Sequence, residues 1–483
     1  MGFDRSPTGK VLKRLLKFND KICWAFLGVR TIDFIDISFL IPVEFILTGD
    51  YGKEIRLFRR HRKVFSLEKQ KTPFARKDWT IESYDTNLSG RLHEEFVQCL
   101  LQRLGNYDRI CFFCFGSPRV LERVQAQLGR KVEILSPPAE LRKVFSNKVL
   151  QYASFRKLGL PVPLTDSVRL RNETYTNLSS KFGNRFVVHL SHSDSGSGTF
   201  VCYKCQDLEM LKERFPKAKA LISSFLEGLS LNMHAVVIDF HNRLEVVASQ
   251  PSVQLVGTKG LVRRETIWAG NDFASAHEIL DRASVEKMIE EMEKIGKWMG
   301  SMGWRGIFGV DFVRDSSHKI FPLDINARFQ GSTQVLTEAC LHSGLVPLTV
   351  LHILQFLRCP VPSDLVNKIR AQSFLPIPGA LLVPHNLIPR RQKIRRKLEP
   401  GVYSLDNRKI TFRRDGYRLS HCCDHDKKEF VITSGVPRKD TYVDIDCPIF
   451  EMQTWRRVVG ESGKELNCWG KTMVNFISSL ICE

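Results

Sequence analysis

The sequence predicts an α/β (α+β) fold. Three observations carry the prediction: a strand–helix–strand succession within the first 145 residues, a long amphipathic helix over VEKMIEEMEKIGKWMGSMG, and two strands around a polar turn, IFGVDFVRD and IFPLDINAR. Strand–helix–strand order points to a parallel sheet, whereas strands joined by a short turn pair antiparallel.

The elements follow in order. VEFILTGD reads as a strand, and LHEEFVQCLLQRL carries apolar residues at helical spacing. RICFFCF is the next strand. Ser117 and Pro118 open a helix through VLERVQAQL, since proline suits the first helical turn. KVEIL closes this region as a strand. After Pro137 and Pro138, SNKVLQYASFRKLG is a helix with Ser146 as N-cap and Gly159 as its stop. GLPVP leaves it in extended form. RFVVHL and TFVCYK are strands flanking the polar loop SHSDSGSG, and ALISSFLEG, LNMHAVVID and RLEVVASQ are further strands. Residues 333–357 are helical. Pro360, Pro362, Pro376, Pro378, Pro384 and Pro389 crowd one stretch, which predicts a linker over 359–389. The remainder, 390–483, holds short β runs (RKITFRR, EFVIT, TYVDID) and ends in the helix WGKTMVNFISSLI.

Composition narrows the function. With 43% hydrophobic and 26% charged residues in 483, the chain can bury a large core, which argues against wholesale disorder. No run of about eighteen apolar residues occurs, so no transmembrane helix is expected. The N-terminus has no signal-peptide apolar core. Thirteen cysteines, an odd number without small-domain spacing, fit reduced thiols and a cytoplasmic location. The CxxC pairs Cys111/Cys114 and Cys202/Cys205 lie in strand-like runs. Residues three apart there face opposite ways, which argues against zinc. The formal net charge of +20 suggests nucleic acid, an anionic surface or an acidic substrate. Residues 51–80 hold ten Lys/Arg against three Asp/Glu, and 388–397 hold six against none.

The chemistry concentrates in GVDFVRDSSHKIFPLDINARFQGST. A hairpin here sets Asp311 beside Asp324, and the strand period of two puts Asp324, Asn326 and Arg328 on one face. Two carboxylates and an amide oxygen are hard ligands that suit Mg²⁺ (or Mn²⁺) bridging nucleotide phosphates. The guanidinium can neutralise a transferring phosphoryl group.

These residues resemble the metal-binding signature of the ATP-grasp ligases. SNKVLQYASFRKLGLPVP is similar to the family segment that carries a phosphate-binding lysine, which makes Lys148 that lysine. SDSGSG, with Ser195, Gly196, Ser197 and Gly198, resembles the small-residue loop that closes over ATP. SSFLEG, with Ser224, Phe225, Leu226 and Glu227, resembles the hinge that reads the adenine edge. The matches occur in the family's order over residues 146–331. Around them, PSVQ, IWAGND and NARFQGST look like the pheganomycin-type peptide ligases and the amino-acid:carrier-protein ligases.

The resemblance implies a preATP-grasp α/β domain at 1–145 and a two-lobed ATP-grasp core at 146–358. The lobes fall at about 146–225 and 226–358, and a small β-rich C-terminal domain follows the linker at 390–483. It also implies ATP-dependent joining of a carboxylate to an amine through an acylphosphate. Asp311, Asp324 and Asn326 then hold the metal, and Lys148 and Arg328 serve as catalytic cations. Arg263 and Arg264 are candidates for a substrate carboxylate or phosphate. The substrate class implied is an amino acid, a peptide or a carrier protein, with oligomeric state open.

The pattern departs from the family at three positions. His189 stands where the family has a second lysine, with His192 nearby as a candidate substitute. Ser223 and Ser230 stand where it has glutamates. A catalytically degenerate ATP-grasp protein that binds polyanions or nucleic acid is therefore the second reading.

Overall fold

The computed structural model describes residues 21–28, 30, 33, 41, 43–57, 63–70, 75–76, 91–116, 119–190, 198–395, 398–406, 409–422 and 428–481.

The first region is a five-stranded parallel sheet in the order Lys63–Ser66, Val43–Thr48, Ile22–Gly28, Arg109–Cys114, Val132–Leu135. Its inner strands are apolar on both faces because both faces are covered. Helices Arg91–Leu104 and Arg119–Leu128 pack Phe96, Leu100, Leu121 and Val124 against Ala25, Phe45 and Phe112. The other face, with Trp24, Phe26, Cys111 and Phe113, packs on helix Leu348–Phe356. Cys111 and Cys114 thus enter different cores on opposite faces of one strand.

A second, antiparallel sheet runs Thr165–Arg169, Lys219–Ser224, Phe186–Leu190, Thr199–Cys202. Helices Tyr175–Phe182 and Cys205–Arg214 cover it through Leu178, Phe182, Leu208 and Leu211.

The third sheet has ten strands among the described residues. Its order is Ile320–Asn326, Gly306–Asp315, Gly228–Phe240, Arg243–Val256, Trp268–Asp272, Ala380–Leu382, Glu451–Thr454, Glu429–Thr433, Gly401–Asp406, Lys409–Arg414. Helix Arg282–Ser301 lies on it, placing Met288, Met292, Ile295 and Met299 in one core with Ala235, Val237 and Val246. Phe145 closes this core edge-on to Trp298 and Trp304, at 5.1 and 5.7 Å between ring centroids.

Two local expectations are corrected. The proline-rich span is not bare linker: it holds helix Ser363–Gln372 and strand Ala380–Leu382, whose three residues are buried in the long sheet. The six prolines fall outside both elements, where a missing N–H costs no hydrogen bond. Asn147, not Ser146, caps the helix Lys148–Lys157, its side chain accepting from Leu150 N at 3.2 Å. Ser146 instead ends the preceding helix Ala139–Phe145, donating its N–H to Arg142 O. Gly159 terminates the capped helix at φ +68° as expected.

The long sheet continues into the C-terminal strands through Gly270. At φ +137°, a Cβ on this residue would stand 1.9 Å from Leu381 O. Gly270→Ala is expected to destabilise the protein by more than the ~1–3 kcal/mol of backbone strain alone, because the Ala380–Leu382 pairing is also displaced. An unchanged urea midpoint would refute this.

A three-stranded sheet joins Gln392–Lys393, Tyr442–Val443 and Ala75–Arg76. Nearby, the N–H groups of Gly435 and Tyr51 donate to the buried carboxylates of Glu54 and Glu68, at 2.6 and 2.7 Å. The Gly435–Glu54 bond ties the first region of the chain to the last, and Tyr51–Glu68 braces the first region at that junction.

Candidate active site

The hairpin Gly306–Asp315/Ile320–Asn326 builds the centre of the site. Its register pairs Asp311 with Asp324 and Gly309 with Asn326. Three amides hold the Asp311 carboxylate. Asn232 Nδ2 and Gln254 Nε2 donate to Oδ1 at 2.7 and 2.9 Å, and Asn326 Nδ2 donates to Oδ2 at 3.2 Å. Asp324 accepts from Gln151 Nε2 at 3.3 Å and forms an ion pair with the buried Lys148. Gln151 also binds Ile325 through both N–H and C=O. The first helical turn after Asn147 is thereby locked to the hairpin, and Lys148 is aimed at the carboxylates.

Two neighbouring carboxylates answered by one ammonium leave a net negative charge. Burial, and then repulsion from Asp324, raise the Asp311 pKa to about 6. Hard oxygen donors with excess negative charge fit a divalent cation of the Mg²⁺ type. Asn232 adds a buried amide oxygen with no hydrogen-bond partner among the described residues. Because the folded pKa lies above the unfolded one, the Asp311 contribution to stability is full at low pH. It is lost as pH rises through about 6. Added Mg²⁺, which binds the ionised form, should therefore raise the melting temperature more above about pH 7 than below about pH 5. Equal shifts at both pH values would contradict this.

A cleft of about 1320 Å³ surrounds this centre and is lined by Lys148, His189, Ser224, Asp311, Asp324 and Arg328, among others. Asn326 lines it too. Arg328 stands 5.8 Å over the Phe115 ring and donates to Phe329 O at 3.0 Å. Phe329 N in turn bonds Phe115 O at 3.0 Å, so the parallel sheet clamps the segment carrying the arginine.

Of the hinge residues, Ser224 ends strand Lys219–Ser224, Phe225, Leu226 and Glu227 join it to Gly228–Phe240, and all four line the cleft. Arg185, which sequence reasoning missed, stacks 3.4 Å from the Phe225 ring centroid. It also pairs with Glu227 at 3.0 Å and Glu265 at 2.9 Å.

His189 is half-buried in the cleft wall. Its Nε2 lies 3.2 Å from Ser223 Oγ and its Nδ1 3.4 Å from Thr199 Oγ1. Burial, helped by the Lys148 charge, pushes its pKa down to about 3, so the ring is neutral at pH 7. Two of the three departures from the family pattern, His189 and Ser223, therefore face each other. Ser230 is half-buried at the cleft wall.

Arg264 and Arg263 do not act together. Arg264 reaches Thr199 O at 3.1 Å and stacks over Phe200, joining the two cleft walls. Arg263 points to Asp446 at 3.9 Å. Gly198 is buried and accepts from Leu190 N at 2.9 Å. Ser195, Gly196, Ser197 and His192 lie outside the described residues. Asn232, Gln254 and Gln151 were not legible as site residues. They sit in strand and helix runs whose periodicity says nothing of partners 57 to 173 positions away.

The paired carboxylates on the hairpin and the helix-borne lysine fall within one stretch of the chain that has a known counterpart. Residues 145–332 match the family described as ATP-grasp domain. Among solved structures, carboxyaminoimidazole ribonucleotide synthase from Aspergillus clavatus, complexed with ATP, has 13% identity and a TM-score of 0.53, covering 94% of this chain and 98% of that one. Biotin carboxylase from Campylobacter jejuni, in its β-γ-ATP complex, has 14% identity and a TM-score of 0.54, covering 90% and 87%. At these identities the likeness is one of fold. A curated relative, the [butirosin acyl-carrier protein]–L-glutamate ligase of Niallia circulans, is 23% identical over 168 residues, 34% of this chain. The match spans 37% of that ligase's length.

Proposed function

We propose that the chain is an ATP-dependent carboxylate–amine ligase forming an amide bond through an acylphosphate. The observation that carries this is the Asp311/Asp324 pair with Lys148 at the floor of a deep cleft. ATP and Mg²⁺ are the partners these groups fit, with Asp311, Asp324 and Asn326 holding the metal. Bound there, Mg²⁺ neutralises phosphate charge.

The chain's own residues supply position and charge. Lys148 is released from Asp324 to phosphate oxygens, and Arg328 faces the transferring group. The neutral His189 donates or accepts one hydrogen bond. The hinge backbone at Ser224–Glu227 reads the base edge. The stacked Arg185 braces that hinge, and the joined cleft walls exclude water from the acylphosphate. The Niallia circulans relative acts on a carrier protein and glutamate, which supports an amino acid and a carrier or peptide as the substrate class.

Phosphate release from Mg-ATP, screened against pools of amino acids and peptides, tests the reading. Amine-dependent release supports it. No binding of millimolar nucleotide overturns it. The neutral His189 favours one second reading, a nucleotide-binding protein without turnover, for which ATP binds but no phosphate is released with any pool.

A further inference from the structure

The two basic segments lie more than 300 residues apart in sequence, yet the fold joins them. Strand Ala75–Arg76 comes from the first and Gln392–Lys393 from the second. Both pair with Tyr442–Val443: Lys393 with Tyr442 and Gln392 with Val443 on one side, Ala75 with Tyr442 and Arg76 with Val443 on the other. Like-charged segments repel, so their convergence leaves a field that a partner can cancel.

Acid answers only part of the described cations: Lys53 and Arg56 share Glu399 in the first segment, and two of four are paired in the second. Arg390, Arg391, Lys393 and Arg395 are all exposed. Asp444 answers Arg391, and Asp440 answers Lys393 at 2.8 Å. Arg390 and Arg395 have no side-chain partner among the described residues. Close by, Lys69 and Arg438 both lie over the Tyr51 ring, at 5.5 and 5.1 Å. A ring face orients a cation without cancelling its charge.

The sheet also sits at the cleft. Strand Tyr442–Val443 runs within three residues into Ile445 and Asp446, which line it. Ile445 is 43% exposed at that rim.

We propose that this three-stranded basic sheet docks an acidic polypeptide whose reactive end enters the cleft past Ile445. The proposal rests on the ligase reading for the event in the cleft, and on charge and placement for the dock. The surface favours polypeptide over nucleic acid for a physical reason. Single-stranded nucleic acid adds to its phosphate contacts the stacking of bases on open aromatic faces. Here Tyr51 carries Lys69 and Arg438, and Tyr442 carries Lys393 at 6.0 Å.

The test is fluorescence anisotropy of the full chain with a labelled oligo-glutamate peptide and, separately, a labelled single-stranded oligonucleotide, at low and high salt. The peptide should bind, weaken with salt, and lose about tenfold in affinity in Arg390→Glu/Arg395→Glu. Both changes flank the edge strand Gln392–Lys393 and lie outside the cleft lining, so the variant should keep the wild-type melting shift with Mg-ATP. Peptide binding that is absent, or unchanged in the variant, overturns the proposal. Tighter binding of the oligonucleotide, lost in the same variant, overturns it in favour of nucleic acid. A wild-type chain that shows no Mg-ATP shift but loses peptide binding in the variant would refute the ligase and leave the dock standing.

Discussion

Asp324→Ala is expected to lower amine-dependent phosphate release by about 10²–10³-fold, the scale for removing one preorganised electrostatic group. The residue has two tasks. It forms half of the carboxylate pair with Asp311, and it holds the ammonium of Lys148, which is only 5% exposed. The stability effect should be small because two changes oppose. Lys148 loses its ion-pair partner, which destabilises. Asp311 loses the repulsion that raises its pKa, which stabilises. The signature is thus lost turnover with a nearly unchanged urea midpoint. Turnover within a few-fold of wild type would remove Asp324 from the mechanism.

His189→Lys should destabilise the nucleotide-free protein strongly, although it restores the residue type that the family pattern carries. The side chain is packed against Ser223 and Thr199 with the Lys148 charge nearby, an environment that already drives the imidazole neutral. A lysine must either stay charged there or deprotonate. Deprotonation at pH 7 sets an upper bound of about 5 kcal/mol, from about 3.4 pKa units at 1.36 kcal/mol each. Adding Ser223→Glu places a carboxylate within reach of the new cation and should recover about 1–3 kcal/mol in a double-mutant cycle. Mg-ATP should narrow the deficit of the single variant, since phosphate supplies the missing anion. Additive effects of the two substitutions would mean that the positions are not coupled.

The His189–Ser223 contact bears on how the site departs from the ATP-grasp pattern that the sequence resembles. Read one at a time, a lost lysine and a lost glutamate look like decay. In space the two positions are in contact, so the exchange of both for neutral residues leaves a hydrogen-bonded pair and no unpaired buried charge between them. Strand pairing makes the exchange possible: the register sets His189 opposite Leu221 and Val187 opposite Ser223, so the two side chains are diagonal neighbours on one face.

Much of the candidate site was nonetheless legible. The hairpin, its carboxylate pair and the face shared by Asp324, Asn326 and Arg328 follow from the strand period and a short turn, both local properties. Lys148 was singled out by the resemblance of SNKVLQYASFRKLGLPVP to a family segment, whereas the local reading of the helix start put the cap on Ser146 rather than Asn147. The amides that hold Asp311 were not legible. Asn232 reaches it through the pairing of two strands far apart in sequence, and Gln254 comes from a third strand. The proline-rich span misled for a related reason: proline density marks breaks between elements, and the strand between two breaks is fixed by the sheet that receives it.

The sequence by itself determined the class of the fold, the order of its elements and the identity of the groups that carry charge into the cleft. Those depend on periodicity and residue chemistry within a few turns or strand repeats. Only the tertiary structure decided which neutral groups brace those charges, that His189 answers Ser223, and that segments 51–80 and 388–397 meet on one sheet. Strand register and burial come from packing the whole chain, and no local window contains both partners of a long-range contact.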